Sequence, residues 1–304
     1  MATHESRRVV TVAAVNWKGE WGIKAANLDK MMSKVKEASQ TGANMVCFPE
    51  LALSGYECGE EAGRDKKPCA MHREAAETIP GPSTEEMSGL AKALGMYVIF
   101  GMPERDPKDS NTCYNSVAIV GPEGILGSYR KLHLAPPPKW TEFFCFKKGS
   151  DLPLFETAYG PIGIQICADF WTYPELSRIL FLKGANLIFN PAGSASGPGK
   201  IDNMTLITPT RGKDTLSYVV SVNHVGKERT ISYYGHSTIA GPAFPRPCKV
   251  FAQGGAEEEI VSATLSFDAL AKSRKMAQVK ERGNWKLIAR EYQRVGEILM
   301  GDRE

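Results

Sequence analysis

No Cys-x-x-Cys pair occurs in the chain, and its five histidines are not grouped with its seven cysteines. A zinc-finger spacing is therefore missing. An odd set of scattered thiols (Cys47, Cys58, Cys69, Cys113, Cys145, Cys167 and Cys248) also fits no secreted disulfide framework. Free thiols in a reducing, cytoplasmic setting are expected, most of them packing as small hydrophobes, with no metal and no cofactor implied. Long apolar runs are missing too. The stretch Val9 to Val15 is too short to cross a bilayer and is unlike a signal peptide, so no membrane partner is expected. An excess of one charge is likewise lacking. A net charge of +3 with interspersed signs leaves no basic footprint for nucleic acid. Two catalytic signatures fail on inspection. Gly193-Ser-Ala-Ser-Gly197 has alanine where a hydrolase elbow needs serine. Gly199-Lys200 is followed by isoleucine and lacks the upstream glycine of a phosphate loop.

What is present is ample material for a core. With 42% hydrophobic and 23% charged residues over 304 positions, one α/β domain spanning residues 1–304 is the expected layout. Strand and helix patterns alternate throughout. Val9 to Val15 reads as a buried strand; Leu28, Met31, Met32, Val35 and Ala38 recur at helical spacing before a strand at Met45. Ser83 with Glu86 reads as a capping box, and Gly95 as the stop of the helix that ends at Leu94. Tyr97 to Gly101 is a strand, and Ser116–Val120 and Ile125–Tyr129 flank a Gly-Pro-Glu-Gly hairpin. Gly163 to Ile166 leads into Cys167, Pro174 opens a helix that Gly184 closes, and strands follow at Leu187, Tyr218, Ser237 and Ile260. A mixed sheet covered by helices is expected.

Three segments end apolar runs in reactive side chains. Met45-Val-Cys-Phe-Pro-Glu50 ends in a carboxylate, Gly127-Ser-Tyr-Arg-Lys131 in an ammonium, and Gly163-Ile-Gln-Ile-Cys167 in a thiol. Each alone has a plain explanation as packing, capping or surface charge. Together they are the parts of an amide-cleaving site: a nucleophile, a base for it, and a cation for the oxyanion. A Cys–His pair drawn from His133, His224 or His236 is the rival reading.

These segments resemble the nitrilase superfamily of carbon–nitrogen hydrolases, nearly end to end. The glutamate motif matches Phe48-Pro-Glu50-Leu-Ala-Leu-Ser-Gly-Tyr56, the lysine motif Tyr129-Arg-Lys131-Leu-His-Leu134, and the cysteine motif Gly163 to Glu175. A second glutamate seven residues before a glycine matches Glu142 and Gly149. The resemblance implies a four-layer α-β-β-α sandwich that dimerises or forms a higher homo-oligomer, and a small-molecule amide as substrate. It implies Cys167 as nucleophile, Glu50 as general base, Lys131 with the Ala168 N–H at the oxyanion, and Glu142 orienting Lys131 or the substrate nitrogen.

Ala168-Asp169 stands where true nitrilases carry tryptophan and glutamate, which favours an amidase that releases ammonia from a small carboxamide through a thioester. N-carbamoyl hydrolysis and nitrile hydrolysis remain the alternatives, with a non-enzymatic scaffold behind them. Trp140, Phe143, Phe144, Trp171 and Tyr173 would suit an uncharged acyl group. Asn190, Pro191 and Ala192 match the strand end beside the pocket. Residues 273–304 look like an amphipathic helix or arm, with Trp285, Leu287, Ile288, Tyr292, Val295 and Ile298 as contacts for a second subunit or for its own.

Overall fold

A computed structural model describes residues 8–136 and 140–301. The outermost ends of the expected 1–304 domain and of the 273–304 arm lie outside the described residues. The first half supplies the strands β1 (Val9–Asn16), β2 (Met45–Cys47), β3 (Tyr97–Arg105), β4 (Cys113–Gly121) and β5 (Gly124–Arg130). Between them lie α1 (Lys24–Gln40), α2 (Glu60–Arg64), α3 (Ala70–Ala75) and α4 (Pro82–Leu94). The second half begins with α5 (Glu142–Cys145), β6 (Leu154–Phe155), β7 (Ile162–Ile164), α6 (Ala168–Trp171), α7 (Pro174–Lys183) and β8 (Leu187–Ala192). A π turn over Asn203–Ile207 leads into α8 (Thr208–Thr215) and then β9 (Tyr218–Asn223), β10 (Val225–Glu228) and β11 (Ile231–Tyr234). Then come β12 (Thr238–Ala243), β13 (Arg246–Gln253), β14 (Glu259–Ser266), α9 (Phe267–Ala277), α10 (Val279–Arg282) and α11 (Trp285–Gly301).

Two six-stranded mixed sheets result, in the orders β14-β1-β2-β3-β4-β5 and β13-β12-β9-β8-β7-β6. Each has three parallel strands at its centre, β1-β2-β3 in one and β7-β8-β9 in the other. Parallel neighbours need crossover connections, and α1, α4, α7 and α8 supply them. Side chains alternate between faces along each strand. Val10, Val12 and Ala14 of β1 join Ile164, Phe189 and Val220 in the core between the sheets. Ala13 and Val15 face the other way, onto Met31 and Val35 of α1 and Met87 of α4. Ile188 and Val219 pack outward on Phe170 and Leu180. Three apolar layers separate four layers of structure, the expected α-β-β-α sandwich. Each fully buried Val, Ile or Phe contributes roughly 1.5–3 kcal/mol.

Several boundaries differ from the sequence reading. The helix cap lies two residues earlier: Pro82 occupies the first turn, so Gly81 N–H and Thr84 Oγ1 form the reciprocal contact at 2.9 Å. Ser83 sits inside the helix, where its N–H and hydroxyl donate to Glu77 at 2.8 and 2.9 Å. The strand from Tyr97 continues to Arg105, paired with β4 along its length. The strand β13 and the hairpin β10–β11 were not anticipated, since exposed β13 carries no clean alternation.

The extension of β3 sets the path of the chain beyond β2. Phe48 N–H donates to Ile99 O at 2.8 Å, Gly101 N–H to Pro49 O at 3.2 Å and Leu53 N–H to Gly101 O at 3.1 Å. The chain through Glu50 is thus laid against Gly101. A Cβ at Gly101 would fall 2.3 Å from Leu51 N and 2.4 Å from Pro49 O, both backbone atoms. Gly101→Ala is therefore expected to cost about 1–3 kcal/mol in denaturant unfolding, the usual scale of overpacking, and to lower turnover by displacing Glu50. Gly89→Ala within α4, where an added Cβ meets nothing within 4 Å, is expected to stabilise by about 0.5–1 kcal/mol. Equal effects at the two positions would contradict this placement.

Candidate active site

Glu50, Lys131 and Cys167, which follow β2, β5 and β7 of the two sheets, come together with Glu142 of α5. Glu50 and Lys131 are fully buried and Glu142 is 2% exposed. Lys131 Nζ lies 2.6 Å from Glu50 Oε1 and 2.8 and 2.7 Å from the two oxygens of Glu142. The rest of the carboxylate capacity is also used. Asn115 Nδ2 donates to Glu50 Oε1 at 2.7 Å, and Gly193 N–H to Glu50 Oε2 at 2.8 Å. Tyr56 OH donates to Glu142 Oε1, and Ala135 N–H to Glu142 Oε2 at 3.3 Å.

Burial opposes charge on Lys131, yet the Glu142 and Glu50 carboxylates outweigh it and hold the ammonium well above the ordinary lysine range. Burial pushes the Glu50 carboxyl upward, with Lys131 pulling against it.

Cys167 lies three residues past β7, at the entry to α6, rather than at the strand end itself. Its backbone takes φ +47°, ψ −101°, a conformation unusual for a side-chain-bearing residue. The N–H that fixes it donates to Pro191 O at 3.0 Å and Asn190 Oδ1 at 3.1 Å. Asn190 Nδ2 in turn donates to Ser221 Oγ at 3.1 Å. Asn190 and Pro191 thus brace the cysteine loop from the strand end, and Ala192 is fully buried beside them. Such over-determined strain is common where a side chain must be presented at a fixed angle. Burial and the Glu50 charge push the thiol above its usual range, while Lys131 and the Gly193 N–H pull it down. The Gly193 amide therefore serves the sulfur and Glu50 alike.

The model of the carbon–nitrogen hydrolase family matches residues 11–275. The chain belongs to that family. It is 38% identical over 247 residues to a probable nitrilase of Schizosaccharomyces pombe, covering 80% of this chain and 83% of that one. It is 34% identical over 271 residues to the omega-amidase NIT2 of Xenopus tropicalis, covering 86% and 90%. Among solved structures, Nit3 of Saccharomyces cerevisiae, a member of branch 10 of the nitrilase superfamily, superposes with a TM-score of 0.76. That match has 25% identity and covers 90% of this chain and 96% of that one. The protein is accordingly a hydrolase of carbon–nitrogen bonds other than peptide bonds, with the sandwich of the nitrilase superfamily.

Within this hydrolase the histidines of the rival reading are engaged elsewhere. His224 Nε2–H donates to the Glu50 carbonyl at 2.7 Å, and His236 Nδ1–H to Tyr234 O at 2.7 Å. His133 pairs with buried Asp169 at 2.8 Å and stacks on Tyr173 at 3.5 Å. Asp169 also accepts from Tyr129 OH at 2.7 Å and from the N–H groups of Leu132 and His133 at 3.2 and 2.9 Å. It ties the cysteine turn to the lysine segment.

The aromatic residues divide. Trp140 packs edge-on to Tyr56 at 5.6 Å and lines, with Glu142 and Arg229, a cavity of about 250 Å³. Phe143 is 58% exposed and meets Phe144 edge-on at 5.8 Å. Trp171 packs on Phe170 in the outer apolar layer between sheet and helices. Ala168 is the first residue of α6, so its N–H is among those a helix start leaves free for another acceptor.

Residues missed from sequence include Tyr56, Asn115 and Gly193. Tyr56 closes the Phe48–Tyr56 motif and so had a signal; Asn115 and the Gly193 amide had none. The histidines were also not all apart from the cysteines. Cys69-Ala-Met-His72 was legible, and folding sets both beside Cys58 and Cys145.

Removing the central cation should expose how the cluster is held. Lys131→Met leaves two buried carboxylates without their counter-charge, and a loss of about 3–5 kcal/mol is expected near pH 7.5. The deficit should shrink toward pH 5, because Glu50, already pushed upward by burial, then takes up a proton. A pH-independent loss in denaturant titrations would show that the charge pairing is not what holds these groups.

Proposed function

We propose that the protein is a cysteine-dependent amidase that hydrolyses a small carboxamide to a carboxylic acid and ammonia. The observation that carries this reading is the buried Lys131 ammonium held between Glu50 and Glu142 at 2.6–2.8 Å. Cys167 is presented beside them on a strained turn. A thiol held neutral at rest needs a base at the moment of attack, and Glu50 is placed to be it.

In the first half-reaction Glu50 takes the thiol proton as Sγ bonds to the amide carbon. The carbonyl π electrons move to oxygen, where a Lys131 N–H and the Ala168 N–H receive the oxyanion. Lys131 has three N–H groups. One bridging both oxygens of Glu142 and one on Glu50 leave the third for substrate. On collapse the carbon–nitrogen bond breaks, the protonated Glu50 gives its proton to the leaving nitrogen, and a thioester remains. Glu50 then takes a proton from water as its oxygen attacks the thioester. The second tetrahedral adduct releases the acid, and the sulfur recovers its proton. An oxyanion donor of this kind contributes roughly 3–4 kcal/mol.

The cavity of about 250 Å³ beside Glu142 supports a small acyl group. Trp140, Tyr56 and Ile231 supply apolar surface, and the guanidinium of Arg229 already lies 3.5 Å from Glu60. Ala168-Asp169 after the cysteine, where true nitrilases of the superfamily carry tryptophan and glutamate, supports amides over nitriles.

We infer that α11 mediates self-association. Leu287, Ile288, Tyr292, Val295, Ile298 and Leu299 form an exposed apolar row on this helix. The neighbouring Arg290, Glu291, Arg294 and Glu297 alternate in sign, which suits an antiparallel copy of the same helix.

Cys167→Ala is expected to abolish ammonia release from aliphatic, aromatic and dicarboxylic monoamides with the fold intact by circular dichroism. Nitriles and N-carbamoyl compounds are expected to be poor substrates. Carbon dioxide release from carbamoyl compounds at rates above the amides would refute the amidase reading. A base with a raised pKa works only once deprotonated, so the acid limb of kcat/KM should lie above the ordinary carboxylate range. Truncation after Arg282 is expected to reduce the assembly by sedimentation; an unchanged size counts against α11 as the interface.

A further inference from the structure

Four metal-binding side chains outside the hydrolase cluster converge from three separate segments. Cys58 lies in the loop after Tyr56, Cys69 immediately precedes α3, His72 stands within α3, and Cys145 ends α5. Cys58 Sγ is 3.2 Å from Cys145 Sγ and 3.8 Å from His72 Nδ1, and the donor atoms of these three residues lie within 4.8 Å of one another. Cys69 packs in the same buried cluster as Cys58 and Cys145. Cys69 is fully buried, His72 is 1% exposed and Cys145 6%.

The geometry points to a structural Zn²⁺ site formed by Cys58, Cys69, Cys145 and His72. A tetrahedral zinc with Zn–S near 2.3 Å and Zn–N near 2.0 Å sets its donor atoms roughly 3.5–3.8 Å apart, against 3.2 Å for the Cys58–Cys145 pair and 3.8 Å for Cys58–His72. Three thiolates with one imidazole form a soft donor set that suits zinc and leaves no open position for water.

The surroundings are those of a ligand shell. His72 Nε2–H donates to Gly55 O at 3.0 Å, which fixes the tautomer and leaves the Nδ1 lone pair facing the sulfurs. Gly59 N–H donates to Cys69 Sγ at 3.1 Å, a contact that strengthens when the sulfur is a thiolate. Phe146 packs on the imidazole at 5.0 Å, and Leu51, Ala62 and Ala76 complete an apolar wall.

Loading balances as Zn²⁺ plus three thiols and a neutral imidazole, giving a singly negative complex and three released protons. No electron is transferred.

The site would act on the hydrolase cluster without touching substrate. Cys58 is two residues after Tyr56, whose hydroxyl meets Glu142, and Cys145 is three residues after Glu142 itself. Zinc would pin the loop and the short helix that hold this carboxylate against Lys131. The proposal is independent of the amidase reading, because its readout is metal content.

Protein expressed with zinc and desalted under reducing conditions should contain about one zinc per chain by mass spectrometry of the metal. Replacement by Co²⁺ should give intense tetrahedral visible bands and a near-ultraviolet thiolate charge-transfer band. Cys58→Ser and Cys145→Ser should each lose the zinc and the bands, while Cys248→Ser, outside the cluster, keeps both. If the serine variants do not fold, the cobalt spectrum of the unaltered protein decides. The proposal is overturned by folded, reduced protein that holds less than about a tenth of an equivalent of zinc and shows no cobalt bands. It is equally overturned by zinc that survives in the folded variants, or by a Cys58–Cys145 disulfide in the purified protein.

Discussion

A lysine ammonium fully removed from water sits between two carboxylates, and the rest of the molecule is arranged so that this can persist. Desolvating such ions costs several kcal/mol each, and attraction offsets that only when the remaining lone pairs are also occupied. Here Asn115, Gly193, Tyr56 and Ala135 occupy them. The donors come from β4, the loop after β8, the turn after Glu50 and the segment after Lys131. No local stretch of chain could assemble them. The cluster is a property of the sandwich as a whole.

The two sheets meet through a layer of Val, Ile, Phe and Tyr, and that layer fixes their relative position. The chain leaves the carboxyl ends of β2 and β7 toward Glu50 and Cys167, and the parallel bridge between Trp17 and His224 joins the two sheets beyond the ends of β1 and β9. Asp169 bridges the cysteine turn and the backbone beyond Lys131. Gly101 presses β3 against the chain that carries Glu50. The placement of these groups is thus inherited from strand pairing, and the strained backbone at Cys167 is braced by Asn190 and Pro191.

Much of this was legible before folding. Short apolar runs gave β1, β8 and β9, helical spacing gave α1, and a start signal with the Gly95 stop gave α4. The chemistry-bearing motifs gave Glu50, Lys131, Glu142 and Cys167. What stayed hidden depends on distance in sequence. Asn115 is an unremarkable strand residue until β4 lies beside Glu50. Asn190 was placed at the strand end beside the pocket, but nothing local reveals that its side chain holds the Cys167 amide. The capping box slid to Gly81 because Pro82 and Glu77 together outcompeted Ser83 and Glu86. The aromatics were expected to share one pocket, yet Trp171 packs in an outer layer and Phe143 faces water, since type alone does not give direction. Cys69 and His72 were near neighbours, but their relation to Cys58 and Cys145 needed the fold.

The most direct test of the account is the charge state of Lys131, followed by NMR of lysines labelled with ¹³C at the ε carbon and assigned by comparison with Lys131→Met. One resonance is predicted to stay in the ammonium form at alkaline pH where the surface lysines have already titrated, for as long as the protein remains folded. A Lys131 signal that loses its proton with the surface lysines, or below them, would mean that the carboxylates do not hold the cation, and the proposed site would have no electrostatic centre.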